Sequence, residues 1–126
     1  MKNLKKHIDH RKVLTLTMHR PQVHNAFDSA MISELTAALK SAANDEDIKL
    51  IIITGSGSCF SAGADLNWMR GLIDASLEEN ERDAMRLAKL MRTLNYMPKP
   101  TIAKINGSAF GGGVGLIAAC DISIAA

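Results

Sequence analysis

Leu50-Ile51-Ile52-Ile53 is a continuous, mostly β-branched run. Such a run reads as a strand buried on both faces, as in a parallel sheet with helices laid over it. Gly55-Ser56-Gly57-Ser58 breaks the chain directly afterwards, so a loop follows this central strand. The rest of the chain must supply its neighbours and its covers. Upstream, Lys5 to Asp9 and Val13 to Met18 read as two short strands about the turn-like His10-Arg11-Lys12, a hairpin ended by Pro21. Asp28 is placed to cap a helix whose apolar positions Met31, Leu35, Ala38, Leu39 and Ala42 keep the 3.6-residue period, closed by Asn44-Asp45-Glu46-Asp47.

Downstream, Asp65 is expected to cap a short helix through Trp68-Met69-Arg70 that ends at Gly71. A longer helix then carries the stripe Ala84, Leu87, Ala88, Met91 and Leu94, and Pro98 and Pro100 keep it from running into Thr101-Ile102-Ala103. The order is strand, strand, helix, strand, helix, helix, strand, Gly-rich turn, helix, strand. This is an α/β chain with no internal repeat and no linker, so residues 1–126 read as part of one domain. Its last residues, Ile122-Ser123-Ile124-Ala125-Ala126, form an apolar strand that reads as a truncation and is expected to expose a sticky edge.

Composition narrows the function classes. Aromatics make up only 4% of the chain, so the core is aliphatic. A net charge of +2 gives no reason to expect nucleic acid or a membrane as partner, and the basic N-terminus reads as a solvated edge. The start has no apolar run of the kind a secretory signal requires, and no apolar segment reaches the roughly 20 residues that span a bilayer. A cytoplasmic protein is the expectation. Cys59 and Cys120 fit no metal or disulfide spacing and read as buried thiols. His7, His10, His19 and His24 lack an acid at a telling spacing and read as surface or packing residues. Gly113-Val114-Gly115-Leu116-Ile117-Ala118 matches a dinucleotide pattern, but so late in the chain that the acidic ribose partner expected about 20 residues on would fall beyond Ala126. No phosphate loop or GxSxG elbow occurs.

Two Gly-containing segments sit where a strand passes into a helix: Phe60-Ser61-Ala62-Gly63-Ala64-Asp65-Leu66, and Asn106-Gly107-Ser108-Ala109-Phe110 leading into Gly111-Gly112-Gly113-Val114-Gly115. The first N–H groups of a helix have no internal partner and carry the positive end of its dipole. Two such turns facing one point make an oxyanion hole for a developing thioester enolate. Either turn taken singly reads better as a tight connection with packing glycines.

Arg20-Pro21 with Asn25-Ala26-Phe27, then Phe60 to Leu66, then Lys99-Pro100-Thr101-Ile102-Ala103, Gly107, Gly111-Gly112-Gly113 and Ala119-Cys120-Asp121-Ile122 resemble the crotonase (enoyl-CoA hydratase/isomerase) superfamily in order and spacing. Asp65-Leu66-Asn67-Trp68-Met69 with Gly113-Val114-Gly115-Leu116 is most similar to members acting on branched or carboxylated enoyl-CoA esters, such as methylglutaconyl-CoA. The resemblance implies a crotonase-like spiral of ββα units, of which this chain is the N-terminal portion, and an acyl-CoA thioester substrate. It implies no metal and no cofactor beyond the coenzyme A of the substrate, and assembly of the parent as a homotrimer or hexamer. The oxyanion donors it implies are the amides of Ala64 and Gly112. Val23, Ala62, Asp65, Leu66, Asn67 and Gly111 would border the substrate.

The chain also departs from the family it resembles. Gln22 and Asn67 stand where many members carry lysine; Arg70 is placed to compensate, although a solvated surface arginine is the better reading of it. Gly115 occupies the first of the two glutamate positions that hydratases use, and the second would fall beyond Ala126. The implied function is therefore acyl-CoA binding and enolate stabilisation for hydration of an α,β-unsaturated thioester, with the chain alone expected to be inactive. An isomerase of the same fold and a non-catalytic product are the alternatives. RNA binding, known in one branch of the family, is disfavoured because the helix after Asp28 offers only Lys40.

Overall fold

The computed structural model describes residues 2–125. β1 (Leu4–Ile8) and β2 (Val13–Met18) form the expected hairpin. The first strand begins one residue earlier than its alternation suggests. Beside β2 lies β3 (Leu50–Gly55), parallel to it, with Leu14 opposite Ile51 and Leu16 opposite Ile53. β5 (Thr101–Ile105) and β7 (Ile122–Ala125) continue the sheet in parallel, in the order β1-β2-β3-β5-β7. Gly55 is the last residue of β3 and not the start of the break. A Cβ there would lie 2.6 Å from the Phe60 carbonyl oxygen and 2.8 Å from Asn25 Nδ2, so the strand stays regular only because the residue is glycine.

α1 (Ser29–Ala43) is capped by Asp28, whose carboxylate accepts from Met31 N at 2.9 Å. Lys99 closes its other end by donating to the carbonyls of Ala42 and Asp45. Met31, Ile32, Leu35 and Leu39 of α1, Leu90 and Leu94 of α3 (Leu77–Asn95) and Leu116 of α4 (Gly112–Ala119) form one core with Leu14, Leu16, Met18, Ile51, Ile53 and Ala103 of the sheet. Ser76 caps α3, accepting from Glu79 N at 3.2 Å. Ser76 and Glu79 have the spacing of a capping box, of which the Ser76 half is formed.

Burial on both faces of β3 does not hold in this chain. Ile51 and Ile53 are buried, whereas Leu50 and Ile52 are half-buried. Ile52, Ile102 and Ile122 stand in one row across β3, β5 and β7, and Ile122 and Ile124 are exposed.

Two strands were invisible to periodicity. β4 (Cys59–Ser61) and β6 (Ser108–Ala109) pair in parallel as a separate two-stranded sheet. With them the chain reads as ββα units: β1-β2-α1, then β3-β4 followed by α2 (Leu66–Asp74) and α3, then β5-β6-α4. The unit repeats in space although no sequence repeat marks it. α2 also runs through Gly71 and does not stop there. A Cβ at Gly71 would meet nothing within 4 Å, so this glycine weakens the helix without serving its packing. Gly71→Ala is expected to raise stability by about 0.5–1 kcal/mol, read as a higher urea midpoint with an unchanged slope.

Candidate active site

The first turn lies between β4 and α2 and is held by the segment before α1. Phe27 and Ala64 form an isolated parallel bridge. Phe27 N donates to the Gly63 carbonyl at 2.6 Å, and Asp65 N donates to the Phe27 carbonyl at 2.7 Å. A parallel bridge spends the groups of the residues flanking Ala64 and turns Ala64's own N–H away from Phe27. Among the described residues that N–H has no acceptor. Gly63 adopts φ 86°, a conformation that glycine takes without strain.

The second turn, at the start of α4, is built the same way from a different strand. Gly111 precedes the helix at φ 51° and ψ −118°, a region open essentially to glycine alone. Gly113 N donates to the Phe110 carbonyl at 2.9 Å, and Val114 N donates to the Gly111 carbonyl at 3.1 Å. The Gly112 N–H, at the first helical position, has no acceptor among the described residues.

The two turns touch. A Cβ on Gly63 would lie 2.8 Å from the Phe110 carbonyl oxygen, and one on Gly111 would lie 3.9 Å from Gly63 Cα. A Cβ on Gly112 would lie 2.9 Å from Cδ2 of the Phe27 ring. Phe27 therefore meets Ala64 through its backbone and Gly112 through its side chain, and the two unspent amides share one buried neighbour.

Beside the first turn is a groove of about 390 Å³ lined by Val23, His24, Ala26, Ala62, Ala64, Asp65, Leu66, Asn67 and Arg70. It gathers every expected substrate-bordering residue except Gly111, which lies at the contact between the turns. Arg70 joins the groove wall one helical turn after Leu66. His24 does so too, although nothing in its sequence context distinguished it from the other histidines except its place beside Val23. A hollow of about 450 Å³ shares only Asp65 and Asn67 with the groove, and two others, of about 800 and 670 Å³, run along the outer face of α3 and between α1 and α3. The latter two are open to solvent and contain none of the turn residues.

Asp65 is less available than its place in the groove wall suggests. Its carboxylate accepts from Trp68 N at 3.0 Å, capping α2, and pairs with Arg20 at 3.1 Å. The same guanidinium lies 3.3 Å from Asp28 and donates to the Ala26 carbonyl at 2.6 Å. The Trp68 amide first, and then the Arg20 guanidinium, hold the Asp65 carboxyl below the usual carboxylate range against the opposing effect of burial. Asp121 is equally committed, accepting from Thr101 N at 3.0 Å. Gly115 faces Met91, its Cβ position 3.4 Å from Met91 Cε, and offers no side chain to a reaction. Burial pushes the Cys120 thiol up to about 11, so it is no thiolate nucleophile at neutral pH. Among the described residues no group of three or more His, Cys, Asp or Glu could hold a metal, and no helix is long and apolar enough to cross a membrane.

The sequence profile described as enoyl-CoA hydratase/isomerase matches residues 9–126. The chain belongs to that family. A probable enoyl-CoA hydratase of Bacillus subtilis is 41% identical over 114 residues, covering 90% of this chain and 43% of the relative. A 2,3-dehydroadipyl-CoA hydratase of Escherichia coli is 37% identical over 115 residues, covering 91% of this chain and 43% of the relative. Among solved structures, an enoyl-CoA hydratase from Shewanella pealeana superposes with a TM-score of 0.94 at 42% identity, covering 98% of this chain and 46% of that one. A crotonase described as a putative enoyl-CoA hydratase/isomerase, from Legionella pneumophila, gives a TM-score of 0.94 at 47% identity, covering 98% of this chain and 47% of that one. The α/β fold is thus that of the crotonase-family structures, and the chain spans less than half the length of these relatives.

The depressed acidity of Asp65 sets a pH signature. A carboxyl whose pKa is lowered by folding stabilises the fold fully above the unfolded value of about 4 and loses that contribution as pH falls through its folded value. Asp65→Asn keeps the cap but removes the charge facing Arg20. It is expected to cost about 1–3 kcal/mol at pH 7 and to flatten the fall in urea midpoint below about pH 4. An unchanged acid limb in the variant would show that Asp65 contributes nothing to it.

Proposed function

We propose that this chain forms the acyl-CoA groove and oxyanion hole of an enzyme that hydrates, or isomerises, an α,β-unsaturated acyl-CoA thioester. The observation that carries this reading is that two turns in contact, both packed on Phe27, each leave one amide, Ala64 and Gly112, without an acceptor among the described residues, beside a groove lined by the first turn. The thioester oxygen would accept from Ala64 N–H and Gly112 N–H. Fixed donors of this kind stabilise negative charge as the thioester becomes an enolate and need no reorganisation at that moment. The Gly63 and Gly111 backbones allow close approach of the substrate.

In the groove, Val23, Ala62 and Leu66 give apolar contact to the coenzyme. Arg70 and His24 are the basic residues of its lining, so the phosphates of coenzyme A would lie toward them in place of the absent lysines at positions 22 and 67. The Asp65 charge does not oppose this, being neutralised by Arg20. The name of the Escherichia coli relative specifies a carboxylated acyl group, which supports a carboxylated enoyl thioester as substrate.

The acid/base step has no occupant here. Water addition needs a group to deprotonate the water and one to protonate the α-carbon. Gly115 vacates one expected position, and Asp65 and Asp121 are spent on structure. The chain is therefore expected to bind and polarise a thioester without hydrating it.

Positioned acid/base groups contribute about 10² to 10⁴ in rate. The purified chain should accordingly bind crotonyl-CoA by calorimetry and show no measurable hydration. Clear turnover that disappears when an acid within the chain is replaced would overturn the assignment of the acid/base groups. Arg70→Ala should weaken coenzyme A binding about two- to fivefold, more at low salt than at high. Absence of any coenzyme A binding would overturn the groove. In an active longer form, Gly112→Pro should cost about 10² to 10³ in kcat once folding is verified. Gly112→Ala is no innocent control, because its methyl presses on the Phe27 ring. Gly115→Ala is the better one, since it meets only the flexible end of Met91.

A further inference from the structure

Ser61 ends β4 and is fully buried. Its Oγ donates to the Asn25 carbonyl at 3.0 Å and accepts from Gly63 N at 3.2 Å. Its own carbonyl accepts from Phe110 N at 3.0 Å. The same residue defines the space at the second turn, where a Cβ on Gly113 would lie 2.9 Å from the Ser61 carbonyl oxygen and 3.0 Å from Ser61 Cβ. One residue thus holds the first turn with its hydroxyl and the second with its main chain.

We propose that Ser61 is a positioning residue of the oxyanion site, its hydroxyl holding the N–H side of Gly63 while Phe27 N holds the carbonyl side, so that the two together fix the Ala64 N–H. This inference rests on the functional reading above. The Gly63 carbonyl, in the same peptide as the Ala64 N–H, is held by Phe27 N at 2.6 Å; the Ser61 hydroxyl holds the preceding peptide, and without it the wide backbone freedom of glycine lets the chain pivot about that single bond. The anchor is itself anchored. The Asn25 carbonyl that receives the hydroxyl proton belongs to a residue at φ 57°. The side chain of Asn25 is tied to the Ser56 and Cys59 carbonyls at 2.9 and 2.8 Å and accepts from Arg20 N at 2.9 Å. Removing the hydroxyl leaves a buried N–H and a buried carbonyl each without this partner, and relief through the dihedrals of Gly63 pulls on the Phe27 bond and moves the next amide. Donors must sit within a few tenths of an ångström of the oxygen's place to act on it.

The test uses crotonyl-CoA labelled with ¹³C at the thioester carbonyl, bound to the chain and observed by difference infrared spectroscopy, beside calorimetric titration with coenzyme A. In the parent sequence the carbonyl band should move to lower frequency than in water. In Ser61→Ala it should move back toward the water value. Discrimination of crotonyl-CoA over free coenzyme A should fall about fivefold, the effect of one neutral hydrogen bond, while coenzyme A itself binds unchanged. Ser56→Ala is the matched control, because its hydroxyl meets His19 at 3.0 Å and reaches neither turn. Should Ser61→Ala fail to fold, Ser61→Cys fills the site with a slightly larger atom that keeps a weaker form of the bond, and its band should lie between the other two. A displaced band in the parent that is equally displaced in the folded Ser61 variant overturns the role of Ser61 alone. An undisplaced band in the parent overturns the oxyanion reading and this inference with it.

Discussion

The bridge between Phe27 and Ala64 is the constraint on which the rest of the site depends. Strand periodicity brings β3 and β5 together and helical periodicity covers them, but neither leaves an amide outside the helices and sheet unspent. Two short bonds do that, Phe27 N to the Gly63 carbonyl and Asp65 N to the Phe27 carbonyl. They consume the groups on either side of Ala64 and leave its own N–H unspent. To reach the bridge, the chain after β2 must turn sharply, and it does so at His24 and Asn25, both at positive φ. This strain is offset by the buried Asn25 side chain, which joins Arg20 N to the Ser56 and Cys59 carbonyls.

Arg20 adds an electrostatic tie across the same region. Its guanidinium reaches both Asp28 and Asp65, the residues that cap α1 and α2. The starts of the two helices are therefore set relative to one another by a single cation. With side-chain exposures of 13% for Arg20 and 7% for Asp65, that cation is largely shielded from water, so truncating it would strand two carboxylates and cost more than an exposed pair does.

What could be read from the sequence follows the strength of the local signal. α1 is legible because Asp28 and a five-position apolar stripe agree, and β3 because four aliphatic residues run together. The site turns are legible as glycine-rich strand-to-helix junctions, and the expected Val23, Ala62, Ala64, Leu66 and Asn67 do meet in one groove. β4 and β6, of three and two residues, are too short to show a period of two, and their partner is nearly fifty residues away. Gly71 misled because a glycine after a short helix looks like a stop, whereas α2 continues on its apolar positions. His24 was hidden because its placement comes from the turn geometry around Asn25 and not from any neighbour in sequence.

Ala64 has one further property. What it would bring to a bound carbonyl is main chain, so replacing its side chain leaves the donor in place, and no change of pH can protonate or neutralise it. A survey by alanine substitution would pass over this position in silence, and a titration would find no ionisation to report. The chemistry of such a site is written in dihedral angles, and it is inherited through the residues that hold those angles.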